Sequence, residues 1–371
     1  MSQPVSLYFH VPFCRSRCPY CDFYSTTDLS LRETYTNALL RAVDTAPAEA
    51  GTPAATVYFG GGTPYLLGPG ALNAVLEAAD RRFPLAGDCE VTLEANPGDL
   101  ELPALRELRA GGFDRLSLGI QAGDARGLTL LGRRHTPEQS AQGVELARKA
   151  GFSNLSLDLM LATPGQDGEQ AAALCAYAAG FAPEHLSAYL LKIEPGTPFA
   201  QRGMEARCPG PDQAADIYLA ACETLRGLGY RHYEISNFAR PGFESRHNSA
   251  YWQGKPYLGF GPSAASCFGG RRLVFPRDLG AFLRAGEPWG LTLDEGEAGG
   301  LEEYVMLALR LEEGLELDRV KELGGDPEGM AKRAVRLEKA GYLRRGDGRL
   351  ALTEEGWLVS NGVILELLGQ D

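Results

Sequence analysis

Three cysteines near the amino terminus carry the clearest chemical signal in this sequence. Cys14, Cys18 and Cys21 lie within eight positions, in the pattern Cys-x3-Cys-x2-Cys. Thiolates so spaced on one loop can bind a single metal centre. Three cysteines are one fewer than usually hold a [4Fe–4S] cluster, so a cluster bound here would keep one iron open for another ligand. The alternative is structural zinc with His10 as fourth ligand, although such sites usually combine two separated two-residue clusters.

Six apolar segments that resemble β-strands alternate with helical segments and must position this loop. They span residues 5–13, 55–64, 90–98, 115–123, 154–165 and 185–198. Each ends in a polar or glycine-rich position that a strand core does not need: His10, the run 60–63, Glu94, Gln121, Asp158 and Lys192. Successive strand–helix units imply a parallel sheet. Because barrel enzymes carry their chemistry at the carboxyl ends of their strands, the series favours a partial (β/α)6 TIM-type barrel over an open doubly wound sheet.

The chain changes character after the barrel segments. Residues 1–235 are interpreted as the barrel, which includes the start of a further strand at 230–239, and residues 236–300 as an irregular segment rich in glycine and aromatic residues. Residues 301–371 hold amphipathic helices and a hairpin with the turn Gly346–Asp347–Gly348. Helices of this spacing followed by a hairpin predict a C-terminal helical, winged-helix-like domain.

Composition disfavours several classes of protein. The 371 residues carry 36 Lys and Arg against 48 Asp and Glu, a net charge of −12. Nucleic-acid binding depends on neutralising phosphates, so we expect no nucleic-acid partner, and we assign the basic stretch 332–349 to packing or docking. No uncharged apolar run approaches the ~18 residues of a membrane span. Few cysteines and an N-terminus without signal-peptide features predict a cytoplasmic location.

The cysteine loop and the segment after the second strand resemble the radical S-adenosylmethionine (SAM) superfamily. Tyr20 precedes the last cysteine, and the run Gly60–Gly61–Gly62–Thr63 resembles the glycine motif of that family. The resemblance implies that Cys14, Cys18 and Cys21 bind a [4Fe–4S] cluster, with its open iron chelated by the amino and carboxylate groups of SAM. It also implies that reduction of the cluster can cleave SAM to a 5′-deoxyadenosyl radical.

The resemblance extends over nearly the whole chain and is closest to oxygen-independent coproporphyrinogen III oxidase and the related HemW-type heme chaperones. It is carried by YFHVPFCRSRCPYCDF, VYFGGGTP, EANP, LGIQ, LGRRHT and DLMLATPGQ. By motif, the residues that would contact SAM are Tyr8, Tyr20, Gly61, Gly62, Thr63, Glu94, Gln121, Arg133 and Asp158. Glu94 and Asp158 can accept hydrogen bonds from ribose hydroxyls or an ammonium group, and Arg133 suits a carboxylate.

Two features separate this chain from the oxidase, and one resembles the chaperones. The oxidase has a further cysteine where this chain has Phe23, and a longer extension before the cysteine loop, where this sequence has 13 residues. The segment 247–252, His-Asn-Ser-Ala-Tyr-Trp, resembles the HNxxYW motif of the HemW group. Neutral His247 is suited to act as an axial ligand of heme iron, and Tyr251 and Trp252 offer flat apolar faces to a macrocycle.

These resemblances imply a heme chaperone. Such a protein binds heme and a SAM-ligated [4Fe–4S] cluster, uses an electron donor and transfers heme to acceptor hemoproteins such as respiratory enzymes. Coproporphyrinogen III oxidase activity is then not expected. The alternatives are that oxidase, or a radical SAM enzyme with another substrate. The sequence does not identify catalytic residues, and it leaves open the identity of the acceptor and whether heme is held covalently.

Overall fold

The computed structural model describes residues 3–370 of the chain. Within them, fifteen strands form one sheet of twelve and one of three. The strands are β1 (Val5–Val11), β2 (Ala54–Gly61), β3 (Leu85–Ala95), β4 (Arg115–Gln121), β5 (Asn154–Leu161), β6 (His185–Leu190), β7 (Arg231–Glu234), β8 (Asn237–Ala239), β9 (Tyr257–Phe260), β10 (Ala265–Phe268), β11 (Arg271–Val274), β12 (Leu293–Glu297), β13 (Leu315–Glu316), β14 (Leu343–Gly346) and β15 (Arg349–Leu352).

Fifteen α-helices lie between and after these strands along the described chain. They are α1 (Arg32–Asp44), α2 (Pro69–Arg82), α3 (Leu102–Ala110), α4 (Ala125–Leu130), α5 (Pro137–Lys149), α6 (Gly168–Ala179), α7 (Pro198–Gln201), α8 (Pro211–Gly227), α9 (Arg246–Trp252), α10 (Leu279–Arg284), α11 (Leu301–Ala308), α12 (Leu317–Glu322), α13 (Pro327–Lys339), α14 (Glu354–Leu358) and α15 (Ser360–Leu368).

The predicted partial barrel is confirmed. Strands β1 to β6 lie side by side in chain order, and each pairs parallel with the next. Alternation along each strand separates two environments, because successive side chains point to opposite faces. In β4, Leu116 and Leu118 are fully buried in the main hydrophobic core, whereas Arg115 and Ser117 line the interior of the barrel. The interior face is therefore polar, as a binding site requires.

Local sequence signals explain where the barrel helices begin. Thr136 and Gln139 form a capping box at the start of α5, and Asp167 and Gln170 form another at the start of α6. In a capping box the side chains satisfy backbone N–H groups that lack a partner within the helix. Helix α6 starts shortly after β5, and α5 follows β4 after the short helix α4, so the capping boxes help to hold the segments that follow β4 and β5.

The large sheet extends beyond the barrel at both edges. The segment 230–239, which we expected to form one strand, is instead the antiparallel hairpin β7–β8, since the chain turns at Ile235 and Ser236. At the other edge β9 pairs parallel with β1, and β10 to β12 continue antiparallel. Helix α9 connects the two extensions and packs on β2.

The C-terminal part has its own hydrophobic core and confirms the winged-helix-like prediction. Val305, Leu337 and Trp357 belong to that core, which helices α11 to α15 and the sheet β13–β15–β14 build together. Asp347 has a φ of 49°, so the predicted turn forms the tip of the β14–β15 wing. Within residues 3–370, no helix combines the length and apolar character needed to cross a membrane.

Candidate functional site

A cavity of about 790 Å³ opens at the carboxyl ends of the barrel strands. It is lined by the cysteine loop and by alternate residues of strands β2 to β6. The predicted site residues on its wall are Cys14, Cys18, Tyr20, Cys21, Gly61, Gly62, Thr63, Glu94, Gln121, Arg133 and Asp158. Two predicted residues, Tyr8 and His247, do not line it. The barrel thus brings together eleven of the thirteen predicted residues.

Backbone hydrogen bonds attach the cysteine loop to the end of β2. The Gly62 N–H donates to the Val11 carbonyl at 2.9 Å, and the Thr63 N–H donates to the Phe13 carbonyl at 2.7 Å. A Cβ atom on Gly62 would lie 2.7 Å from the same Phe13 oxygen, so only glycine permits this approach. The glycine run therefore positions the chain directly before Cys14.

Two side chains from elsewhere in the barrel bind the cysteine sulfurs. Thr63 Oγ1 donates to Cys14 Sγ at 3.9 Å, and Arg133 Nη1 donates to Cys18 Sγ at 3.5 Å. Such donors favour the charged thiolate, which is the form that binds metal. Burial raises the pKa of the Cys14 and Cys21 thiols, so metal binding here is expected to displace protons.

The geometry fits an iron–sulfur cluster better than zinc. A tetrahedral zinc ion with Zn–S bonds of about 2.3 Å holds its sulfurs close together. Among residues 3–370, Cys14, Cys18 and Cys21 do not form a group whose ligand atoms all lie within 4.8 Å of one another. His10, the fourth ligand of the zinc alternative, bonds the Tyr24 carbonyl through Nε2 at 2.9 Å and the Tyr8 hydroxyl through Nδ1 at 3.2 Å.

Two partly buried carboxylates face the cavity from β3 and β5. Glu94 accepts hydrogen bonds from the Tyr58 hydroxyl at 2.7 Å and the Gly61 N–H at 3.1 Å. Burial nevertheless raises the pKa of Glu94 to about 7. Asp158 accepts from Ser117 Oγ at 3.1 Å, and burial raises its pKa as well. A ligand that donates hydrogen bonds or carries positive charge would therefore stabilise the ionised form of both carboxylates.

Polar atoms without partners point to a polar ligand. Among the described residues, Gln121 Oε1 and Arg115 Nε are buried and have no hydrogen-bond partner. Gln121 also has a φ of 62°, an uncommon conformation for a residue other than glycine. Buried polar groups normally find partners, so this part of the cavity is suited to hydroxyl, amino or carboxylate groups of a ligand. The residues present thus fit SAM beside a cluster on the cysteine loop.

Arg133 lines the cavity but is also bonded to other parts of the protein, and Tyr8 does not line the cavity. Besides Cys18, the Arg133 guanidinium donates to Asn96 Oδ1 and, at 2.8 Å, to the Gly119 carbonyl. Its donors therefore hold the cysteine loop and the end of β4. Tyr8 lies deeper in the barrel, where its ring is 6.3 Å from that of His247.

Two of the six predicted strand-end positions do not reach the cavity. The side chain of Lys192 is 80% exposed and pairs with Glu194, because β6 ends at Leu190 and the chain leaves the barrel there. Of this segment, Tyr189 and Glu194 line the cavity instead. His10 is buried beneath the glycine run, so its role is to support Gly61 from below.

His247 is buried near the amino ends of the barrel strands. Its Nδ1 bonds Thr56 Oγ1 at 2.7 Å, and its Nε2 bonds the Tyr251 hydroxyl at 2.8 Å. The Tyr58 ring stacks on it at 4.9 Å. Burial lowers the pKa of His247 to about 3, so the imidazole is neutral. Both ring nitrogens of His247 therefore have partners within the protein. Of the HNxxYW motif, Asn248 lines the cavity at the carboxyl ends of the strands.

Several residues on the cavity wall were missed by the sequence analysis. Arg115, Ser117 and Gly119 share the inward face of β4 with Gln121, and Asn96 and His135 contribute from loops. A signal for the β4 residues was present, because they occupy alternate positions before Gln121. Asn96 and His135 carry no such periodic signal.

Comparisons with known proteins agree with this geometry. The Radical SAM superfamily model matches residues 8–178, and the HemN C-terminal domain model matches residues 300–359. The heme chaperone HemW of Mycobacterium tuberculosis is 36% identical over 99% of this chain and 95% of its own length. The heme chaperone HemW of Bacillus subtilis is 33% identical over 98% of this chain and 99% of its own length.

The fold is also similar to a solved structure. Coproporphyrinogen III oxidase (HemN) from Escherichia coli, a radical SAM enzyme, matches with a TM-score of 0.84 and 25% identity, over 99% of this chain and 90% of its own. The sequence relatives, the two matched domains and the cysteine-lined cavity lead to one assignment. The chain belongs to the HemW family, within the radical SAM superfamily.

Proposed function

We propose that this protein is a heme chaperone: it binds heme and a SAM-ligated [4Fe–4S] cluster and transfers heme to acceptor hemoproteins in the cytoplasm. The observation that carries the proposal is the end-to-end similarity to HemW proteins, 36% identity over 99% of this chain. The cysteine-lined cavity supports the cluster and SAM. Free cysteines throughout the described residues are consistent with a reducing compartment.

Each group of residues around the first cavity has a defined task in this proposal. Cys14, Cys18 and Cys21 would hold the cluster, which when bound supplies an open iron for SAM and an electron for its cleavage. Thr63 and Arg133 hold the sulfurs through the hydrogen bonds described above. The acceptors on β3, β4 and β5 would bind the polar groups of SAM.

The heme is cargo, and His247 is the proposed axial ligand. Its neutral imidazole is the form that ligates iron. In the structure the Tyr251 hydroxyl occupies Nε2. Coordination through this nitrogen therefore requires Tyr251 to move away, which would couple heme binding to a rearrangement of α9.

Anaerobic reconstitution with iron and sulfide, followed by heme titration and mixing with an apo-hemoprotein, tests the proposal. We expect four iron atoms per chain, stoichiometric heme binding and heme transfer to the acceptor. A reconstituted protein that binds no heme would contradict the proposal. So would conversion of coproporphyrinogen III to protoporphyrinogen, because that activity belongs to the oxidase alternative.

Tyr251→Phe tests the ligand assignment without removing the histidine. The substitution frees His247 Nε2 from its 2.8 Å hydrogen bond and keeps the ring in place. We expect heme to bind more tightly than to the wild type, because this hydrogen bond no longer has to be broken before Nε2 can coordinate iron. Tyr342→Phe is the control, because Tyr342 is 36% exposed in the C-terminal domain and lines neither cavity. Equal heme affinity of Tyr251→Phe and the wild type would show that heme binding does not break this hydrogen bond, and would remove His247 Nε2 as the heme ligand.

A further inference from the structure

A second cavity, of about 710 Å³, lies between the barrel extension and the C-terminal domain. Tyr257, Cys267 and Arg272 contribute from β9, β10 and β11, and residues of α11 and α15 form the opposite wall. Its volume lies within the range of about 300–1,000 Å³ that is typical of small-molecule sites. No part of the predicted SAM site lies on its wall.

The wall of this second cavity is largely apolar, in contrast to the first. Leu307, Ile364 and Leu368 line it together with Met306 and Leu365, whose side chains remain 41% and 48% exposed. Exposed apolar groups around a cavity indicate a binding surface for an apolar partner. In the first cavity a large apolar ring would cut off the arginines and carboxylates of the wall from water without offering them hydrogen bonds, which is costly.

The second cavity reaches the HNxxYW motif from outside the barrel. Tyr251 lines it, with its ring in edge-to-face contact with Tyr257 at 4.5 Å and 78°. The hydroxyl of the same tyrosine bonds His247 Nε2. One side chain therefore separates the cavity from the neutral imidazole, whereas Tyr58 and Thr56 cover the histidine from the barrel side.

The rim offers a cation, Lys255, for a carboxylate of a tetrapyrrole. Lys255 is exposed, and within residues 3–370 no ion pair is formed by it. The two acidic side chains of the rim have partners: Glu303 accepts a hydrogen bond from Arg272, and Glu302 accepts one from Gln370 at 2.7 Å. The lysine is thus available to a propionate group.

We propose that heme binds in this second cavity. One side of its ring would face the tyrosines of α9 and β9, and the other side would face the apolar residues of α11 and α15. The inference rests on the proposed function, because only a heme-binding protein gives this cavity that occupant. It places the cargo apart from the SAM site, on the side of Tyr251 that faces away from the barrel interior. Movement of Tyr251 would then expose His247 to the iron.

Filling the cavity tests the proposal. Met306→Trp and Leu365→Trp place a bulky ring on its wall at partly exposed positions, and Val359→Trp is the control, since Val359 is 44% exposed in the same domain and outside the cavity. Heme is titrated into each reconstituted protein by Soret absorbance, alongside iron content, SAM affinity and thermal midpoint. We expect Met306→Trp and Leu365→Trp to bind heme at least tenfold more weakly than the wild type, and Val359→Trp to bind it normally. Iron content, SAM affinity and thermal midpoint should be unchanged in all three variants.

A charge reversal at the rim provides a second, gentler test. Lys255→Glu alters only an exposed side chain, and Lys321→Glu on α12 is its control. We expect weaker heme binding for Lys255→Glu alone. If the wild type binds heme and the filling and rim variants bind it equally tightly, the cavity assignment is overturned while the chaperone function stands. If the wild type binds no heme, the chaperone function itself fails, and the cavity assignment fails with it.

Discussion

At the scale of single residues, burial shifts the pKa of carboxyl groups in the site towards neutral pH. Glu94 illustrates this, because its pKa of about 7 results from burial opposed by hydrogen bonds from Tyr58 and Gly61. A carboxylate with such a pKa changes charge in the physiological range. A bound ligand that donates hydrogen bonds to Glu94 would lower this pKa and keep the ionised form.

SAM binding should therefore weaken as the pH falls below 7. Only the ionised form of Glu94 accepts hydrogen bonds with both oxygens, and its fraction drops roughly tenfold between pH 8 and pH 6 for a pKa near 7. We expect a matching decline in SAM affinity, measured by calorimetry on the reconstituted protein. In Glu94→Gln this part of the pH dependence should disappear. Equal pH profiles for the two proteins would exclude Glu94 as the titrating contact.

At the scale of elements, the end of β2 controls the geometry of the cysteine loop. The glycine run allows the backbone to pass within hydrogen-bond distance of Val11 and Phe13, and Thr63 then reaches Cys14. Gly61 has a φ of 106°, which a residue with a side chain rarely adopts. The loop is thus held by a neighbouring strand more than by its own sequence.

Gly62→Ala should separate the loop from the strand. Its Cβ would approach the Phe13 carbonyl to 2.7 Å, and backbone cannot yield as a flexible side chain can. We expect at least tenfold weaker SAM binding and incomplete cluster loading, measured by iron content and calorimetry. Gly70→Ala is the control, since no heavy atom lies within 4 Å of a Cβ built there. Full loading and normal SAM affinity in Gly62→Ala would show that the close approach is dispensable.

At the scale of the whole molecule, a charged cluster joins the barrel to the C-terminal domain. Glu354 at the start of α14 accepts hydrogen bonds from Arg226 of α8 and from His232 of β7, the latter at 3.0 Å. Burial by itself would raise the pKa of Glu354, but these two partners outweigh it and lower the pKa to about 2. The ionised carboxylate therefore stabilises the contact between the two domains.

Glu354→Gln should destabilise the protein by roughly 1–2 kcal/mol near neutral pH, because a charged hydrogen-bond acceptor is lost while the half-exposed Arg226 limits the effect. A lowered carboxyl pKa contributes stability above its ordinary value and loses it as the pH falls towards the folded value. The difference from wild type should thus narrow between pH 4.5 and pH 2. Urea unfolding measures it, with exposed Glu355→Gln as control; equal stability of both variants would contradict this role.

The architecture and the position of the cysteine loop could be predicted from the sequence alone. Strand alternation and the Cys-x3-Cys-x2-Cys spacing are local patterns. A strand that buries one face alternates apolar and polar residues whichever strands it pairs with, so a short segment is enough to recognise it. The six parallel strands and the winged-helix-like end could be predicted for this reason, and eleven residues of the cavity wall followed from the family resemblance that these patterns carry. The hairpin at 230–239 could not, because a turn of two residues leaves little local signal.

Only the tertiary structure decided what several of these residues touch. Arg133 binds Cys18 across 115 positions of sequence, and His247 binds Thr56 across 191. Lys192 was predicted to lie at the end of the sixth strand and face the site, but β6 ends at Leu190, before the apolar segment of the sequence does. Contacts between distant segments depend on how whole elements pack, and a side chain's type and spacing do not encode that packing. The burial of His247 and the second cavity beside it therefore could not be predicted from the sequence.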